Sequence, residues 1–453
     1  MKSSAFLEEF FQLKEHGTSV KKEALAGMTT FMTMAYIIFV NPDLLKQGGM
    51  NSAGALFDDA LIYTSVNDPV VAAVVTVTIL AAAVATLMMG LLTNYPFALA
   101  SGMGLNAFFA FTLAPEYGWQ AALGAVFISG VVFFLLTTAG WITIIERGIP
   151  PNLKNATAAG IGLFIALIGF SNSGMIVSDP NTLVAPGSFG DPGTLLAVGG
   201  LLFTAALMSL NIRGALLIGI LTTAVAANLF GIITPPRQLS DLVSLPASIA
   251  PIALELDLRG ALNMGILAIF ALLFVDIFDS MGTLVGTGQR AGLLDENGSL
   301  PKIRNAMFAD SGSSILGSLL GTSTVTTYVE STTGIAEGGR TGLTSIFVGL
   351  FFLLTLFLTP LTGFVPTQAT APALIIVGSM MMGSVSNIKF NDFTEAFPAF
   401  VTIAFMPFAF SISEGIAAGF ITYPLVKVLA GRHQEVHWIM YPLVIISIIH
   451  FWA

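Results

Sequence analysis

Long apolar runs follow one another almost without pause along this chain, and its few charged residues fall in the short connectors between them. A soluble domain carries roughly 25% charged residues. Here the share is 9%, against 55% hydrophobic, so lipid solvates the outside. Lipid offers no hydrogen bonds, and every backbone N–H and C=O within it must be satisfied inside the protein. Runs of about 20 apolar residues meet that demand as transmembrane helices.

Apolar runs bounded by Gly, Pro or charge place seven spans at about 24–45, 69–92, 96–113, 119–142, 156–177, 193–211 and 213–233. Seven more fall at about 261–285, 304–320, 326–339, 342–363, 371–386, 394–411 and 413–430, which makes fourteen. The stretch from Trp438 to Trp452 is short for a full crossing and reads as a surface or partial helix. The chain thus divides into an N-terminal segment 1–23, a first seven-span repeat 24–233, a linker 234–260, a second repeat 261–430 and a C-terminal segment 431–453. Residues 1–23 read as a polar cytoplasmic lead-in rather than a signal peptide.

With the N-terminus inside and fourteen crossings, Lys2, Lys14, Lys21, Lys22, Arg147, Lys154, Arg213, Arg290, Lys302, Arg304, Arg340, Lys389, Lys427 and Arg432 all fall inside. Only Lys46, Arg237 and Arg259 fall outside, which is the charge bias that orients membrane proteins. A miscount by one in the middle would scramble this sorting, so the charges support the count independently.

Several chemistries drop out. Cysteine is absent and the four histidines lie near the chain ends, which leaves no thiolate site or internal His pair for a metal, and no cofactor is expected. Basic clusters of the kind that bind nucleic acid are missing. The run GMGLNA at Gly102–Ala107 has no following Lys and is not a phosphate-binding loop. Membrane gradients remain as the energy source.

Seven is odd, so a duplicated seven-span unit inserts its second copy upside down. Weak similarity between ALMSLNIRGALLIGI and AFMPFAFSISEGIAAGF supports such a duplication. Each half also holds, third in order, a short polar and Gly-rich segment: NYPFALASGMGLNAFFAF and STVTTYVESTTGIAEGG. Paired interrupted segments at matching places point to a transporter's binding site. The plainer reading is that Pro96 and the glycines let helices pack closely.

Acids inside apolar spans are costly and therefore functional candidates. They are Asp276, Asp279, Asp310, Glu330, Glu337 and Glu414. Asp276 and Asp279 are three apart and share a helix face with Thr283. In a low dielectric both do not ionise comfortably, and a carboxyl that takes and gives a proton suits a proton-coupled carrier. Glu330 follows Thr326, Thr327 and Tyr328 in the interrupted tenth segment. There it can accept two N–H bonds from a flat heterocycle. The structural reading of each acid is a helix cap or a partner for a nearby hydroxyl.

Four segments, EALAGMTTFMTMAYIIFVNPDLL, NYPFALASGMGLNAFFAF, FVDIFDSMGTLVGTG and GTSTVTTYVESTTGIAEGGRTGLTS, occur in this order. Together they resemble the purine permeases of the azaguanine-resistance branch in the nucleobase and ascorbate transporter family, from about Gly17 to Gly431. The resemblance implies an all-α, uracil-permease-like membrane protein of two inverted seven-span repeats, with short strand-like breaks in spans 3 and 10. It also implies a core domain that moves against a gate domain in an elevator-like cycle, a homodimer in the inner membrane, and import of a purine base with a proton.

By the same resemblance, the base-holding acid of span 8 falls on Asp279, ahead of Gly282, Thr283 and Leu284, and that of span 10 on Glu330, after Thr327 and Tyr328. Ala100, Ser101 and Gly102 supply the backbone face of span 3, Thr30 joins from span 1, and Asp279, Glu330 and Asp276 are the proton-coupling candidates. The related permeases usually carry Glu, or Glu with a downstream His, in span 8, where this chain has Asp279 and Thr283. Two other readings compete. A same-fold carrier of sulfate or bicarbonate wants positive helix ends and little acid. An intramembrane aspartyl enzyme would use two carboxylates such as Asp279 and Glu330, but its Gly-x-Gly-Asp setting is missing.

Overall fold

The computed structural model describes residues 7–142, 148–236, 238, 241–295 and 300–452. Lys2, Arg147 and Arg237, which entered the charge sorting, lie outside the described residues. Among the described residues nine helices are long and apolar enough to cross a membrane, including Val20–Gln47 (span 1), Pro151–Asn172 (span 5), Ile266–Ala291 (span 8), Thr367–Asn387 (span 12) and Ile412–Leu429 (span 14). Five further segments complete the fourteen-span fold. Ala215–Leu229 and Phe393–Phe408 are shorter apolar helices, Ile303–Leu320 (span 9) is a serine-rich helix, and spans 3 and 10 are broken.

Local chemistry sets the helix ends. Span 2, Pro69–Thr93, starts on Asp68, whose carboxylate accepts from the N–H groups of Val70 and Val71 at 2.9 Å each. Proline follows at the first helical position, where its missing N–H costs nothing. The helix stops at Asn94, whose φ of 59° is the left-handed conformation that ends helices.

The breaks in spans 3 and 10 are short strands. Strand β1, Leu99–Ser101, leads into the helix Met103–Phe108. Two strands of a surface hairpin, β2 (Ile176–Asp179) and β3 (Leu183–Pro186), come next in the chain, and β4, Val325–Thr327, precedes the helix Ser331–Ala336. β1 and β4 pair antiparallel, with Leu99 opposite Thr327, Ala100 opposite Thr326 and Ser101 opposite Val325. The ladder continues outward, Gly102 N–H donating to Thr324 O at 3.0 Å and Tyr328 N–H to Ala98 O at 2.9 Å. Matching strands of the two halves thus meet antiparallel, the arrangement that an inverted repeat with a two-fold axis in the membrane plane produces. Each break thereby satisfies the main-chain groups the other exposes.

Span 5 departs from its expected course to residue 177. The helix ends at Asn172, Gly174 takes a left-handed φ of 72°, and Ile176–Asp179 leave as β2. The reason lies in the turn between β2 and β3, where the Asp179 carboxylate accepts from Asn181 N–H at 2.8 Å and Thr182 N–H at 2.9 Å. A self-bonding Asp ahead of Pro180 closes a hairpin more readily than it extends a helix. Past span 14, the C-terminal helix Met440–Trp452 packs alongside it, and His450 Nε2 meets Glu414 Oε1 at 2.9 Å.

Polar clasps tie the spans together at both ends. Glu23, fully buried in span 1, accepts from Arg340 N–H at 3.0 Å, Thr344 N–H at 3.1 Å and the Thr344 hydroxyl at 2.5 Å, capping the helix that starts at Gly342. At the far end of span 1, Asp43 accepts from the hydroxyls of Thr367 (2.9 Å) and Thr370 (2.6 Å) on span 12 and pairs with Lys46 Nζ at 2.8 Å. On the side of Glu23, buried Lys427 joins Glu395 at 2.6 Å and Glu435 at 2.7 Å, and Arg432 reaches Asp392 at 2.6 Å. The Thr394 hydroxyl and the Arg432 guanidinium hold the Asp392 carboxyl down to about 2. Arg432 and Lys427 do the same for Glu435, also to about 2.

Candidate functional site

The strand pair is the scaffold around which the candidate residues gather. Span 9 fixes it from one side. Its Asp310 carboxylate, fully buried, accepts from Thr327 N–H at 3.0 Å and the Thr327 hydroxyl at 2.7 Å, and with its other oxygen from the Ser280 hydroxyl at 2.7 Å. One side chain thus bonds β4 to span 8 next to Asp279. From the other side Tyr328 reaches across the pair, its hydroxyl donating to Ser101 O at 2.5 Å. Asn106, after β1, is bonded by the Ser323 hydroxyl, before β4.

Span 1 adds a contact that the sequence reading did not anticipate. Its helix is interrupted between Met34 and Ile37, and at that interruption Tyr36 donates its hydroxyl to Glu330 Oε1 at 3.0 Å. The only hint in the sequence was a lone phenol in an apolar run, since a buried tyrosine hydroxyl usually finds a partner.

Asp279 stands in the wall of a cavity of about 780 Å³. Gly104 and Leu105 of span 3, Lys154, Thr157 and Ile161 of span 5, Phe278, Gly282, Thr283 and Gly286 of span 8, Ile303 of span 9 and Ser384 of span 12 contribute to the same wall. These come from span ends nearest Arg290, Lys302 and Lys389, so the cavity occupies that half of the membrane thickness. The Lys154 ammonium sits 4.7 Å from the centre of the Phe278 ring, a cation over the aromatic wall next to Asp279.

The remaining candidates divide by position. Ala100, Ser101, Gly102, Thr327 and Tyr328 are buried in or beside the strand pair. Glu330 is half-buried, held by Tyr36, and lies outside the lining of that cavity. Asp276 is buried behind Asp279, one oxygen accepting from the Ser314 hydroxyl at 3.1 Å and the other without a partner. Thr30 is fully buried and its hydroxyl lies unpartnered against Gly334, away from the cavity lining. Among the described residues no cation pairs with Asp276, Asp279, Asp310 or Glu330. The Asp310 and Glu330 carboxylates are met by hydroxyl and N–H donors instead, and among the described residues the one cation in the cavity wall near Asp279 is Lys154. No group of three or more His, Asp or Glu that would hold a metal ion occurs among the described residues.

Comparison with known proteins places these features in a group. The family model described as Permease family, Xan_ur_permease, matches residues 21–418. A putative permease of Methanocaldococcus jannaschii is 49% identical over 449 residues, covering 98% of both chains. The guanine/hypoxanthine permease PbuG of Bacillus subtilis is 44% identical, covering 98% of this chain and 99% of its own. The adenine permease AdeP of Escherichia coli is 42% identical, covering 95% and 92%. Among solved structures, the transmembrane domain of the cyanobacterial bicarbonate transporter BicA superposes with a TM-score of 0.58 at 14% identity, covering 88% of this chain and 96% of that one. At that identity the likeness is one of fold.

Proposed function

The chain belongs to the Xan_ur_permease family and is a multi-pass membrane permease rather than an enzyme, and from that premise we propose that it imports purine nucleobases of the guanine, hypoxanthine and adenine class by proton symport. The observation that carries the reading is the antiparallel pairing of β1 with β4 beside a cavity walled by Asp279. A planar base needs its N–H donors and carbonyl acceptors met in one plane, and Glu330 at the edge of the span 10 break together with Asp279 on span 8 offers acceptors for its N–H groups.

In this reading Asp279 and Glu330 hold the base, with Thr327, Tyr328, Ala100, Ser101 and Gly102 shaping the seat and Thr30 supporting it through Gly334. Asp279, Glu330 and Asp276 exchange the proton. The basic face is cytoplasmic and the bilayer is the inner membrane. The core moves against the gate in an elevator-like stroke that carries Glu330 and Asp279 to a common opening, and two copies join as a homodimer.

The test is uptake of radiolabelled hypoxanthine, guanine and adenine into cells lacking their own purine permeases, with and without a protonophore. Wild-type uptake should collapse with the protonophore, and Asp279→Ala and Glu330→Ala should each abolish it. Uptake that survives both substitutions would overturn the site, and absence of purine uptake would overturn the substrate class. An anion carrier of the same fold remains the rival because BicA shares the architecture. Sulfate or bicarbonate competing with the purine for binding would favour it.

A further inference from the structure

We propose that Tyr36 sets which edge of a purine Glu330 accepts, and so tunes selection between one-donor and two-donor bases. This rests on the reading of the chain as a purine carrier. Tyr36 is 1% exposed, so its ring is locked by packing and its hydroxyl has no solvent to turn to. That hydroxyl donates to Glu330 Oε1 at 3.0 Å, and among the described residues no other side chain hydrogen-bonds the Glu330 carboxylate. The main chain at Glu330 is also fixed, its carbonyl accepting from Thr333 N–H at 2.9 Å and the Thr333 hydroxyl at 2.7 Å. The result is a carboxylate held by the phenol at Oε1 and by the N–H of its own residue, with acceptor capacity remaining at Oε2.

An ionised carboxylate only accepts, and a planar two-donor partner engages both its oxygens at once. Guanine carries such an edge, N1–H beside the 2-amino group. Hypoxanthine lacks the 2-amino group and offers N1–H alone. A carboxylate already bonded by a phenol at Oε1 accepts a single donor at Oε2 in full. Each oxygen can take two hydrogen bonds, so the carboxylate meets the two-donor edge with Oε1 shared between the phenol and the base, a weaker acceptor there than a free oxygen. Tyr36 therefore raises the standing of one-donor edges relative to two-donor edges.

Tyr36→Phe removes only the hydroxyl. In cells lacking their own purine permeases, the ratio of Vmax/KM for guanine to that for hypoxanthine should move toward guanine by about three- to ten-fold, the worth of one hydrogen bond. Both rates are read in the same cells, so the ratio is independent of how much protein reaches the membrane. A merely structural role would lower both together. A ratio unchanged, or moved toward hypoxanthine, overturns the proposal. Should Tyr36→Phe not reach the membrane, Tyr36→His, whose shorter ring places no donor at Oε1, is read by the same ratio. Wild-type protein that carries neither base would fell the purine reading and this proposal together, whereas transport with an unmoved ratio fells this one alone.

Discussion

Asp310 shows how much depends on one side chain in a dry interior. Its three hydrogen bonds hold Thr327 on β4 and Ser280 on span 8. In Asp310→Ala each stranded buried donor costs about 1–3 kcal/mol. The unfolding midpoint of the purified protein should fall and uptake should be lost, while Asp310→Asn, which keeps one acceptor oxygen, should retain part of both. The acids at the other end of the scale titrate where transport does not. Asp392 and Glu435 sit at about 2 in the folded protein, below the usual carboxylate value of about 4. Their stabilisation is complete above about pH 4 and is lost as pH falls through about 2. Arg432→Gln should therefore leave the shape of the uptake–pH profile unchanged between about pH 5 and 8, a profile then owed to the membrane acids. At this scale the acids themselves were legible, because charge in an apolar run is rare. Their partners were not: Tyr36 and Glu330 are 294 residues apart in the chain, and no local pattern joins them. Thr30 shows the converse, a polar residue in an apolar span that packs against a glycine.

The paired breaks are the element on which the site is built, and their closeness is set by a missing side chain. A Cβ at Gly102 would stand 2.9 Å from Thr326 Oγ1, closer than packed atoms come, and 3.2 Å from its Cγ2, tighter than most. Gly102→Ala should push β1 from β4 and slow uptake about ten-fold, in line with the 1–3 kcal/mol typical of overpacking. Adding Thr326→Ala removes the atoms in the way and should recover most of the rate, a coupling that initial uptake rates would measure. Equal loss in the single and double variants would show that the two residues do not meet. The breaks were legible because Gly, Ser and Thr crowd into two otherwise apolar runs at the same place in each half. The early end of span 5 was not, because Ile176 and Val177 continue an apolar run whether the chain is helix or strand, and only the Asp179 turn decides it.

For the whole molecule, the cavity at one face and the clasp at the other belong together. Asp43 bonds span 1 to span 12 at the end remote from the cavity. Removing the clasp with Asp43→Ala should raise the share of molecules open on the Asp43 side. The chain has no cysteine of its own, and Gly286, in the cavity wall with open space around it, takes a reporter thiol. A membrane-impermeant maleimide applied outside intact cells should label Gly286→Cys slowly, and several-fold faster when Asp43→Ala is added. Identical rates would mean that Asp43 holds no gate. The β1–β4 pair has a different kind of consequence, in time rather than in space. Residues 99–101 leave the ribosome more than two hundred residues ahead of their partners at 325–327. The first half must therefore wait, in or beside the insertion machinery, with peptide groups that lipid cannot serve. A nascent chain cut short before residue 325 should be a marked target for membrane quality-control proteases.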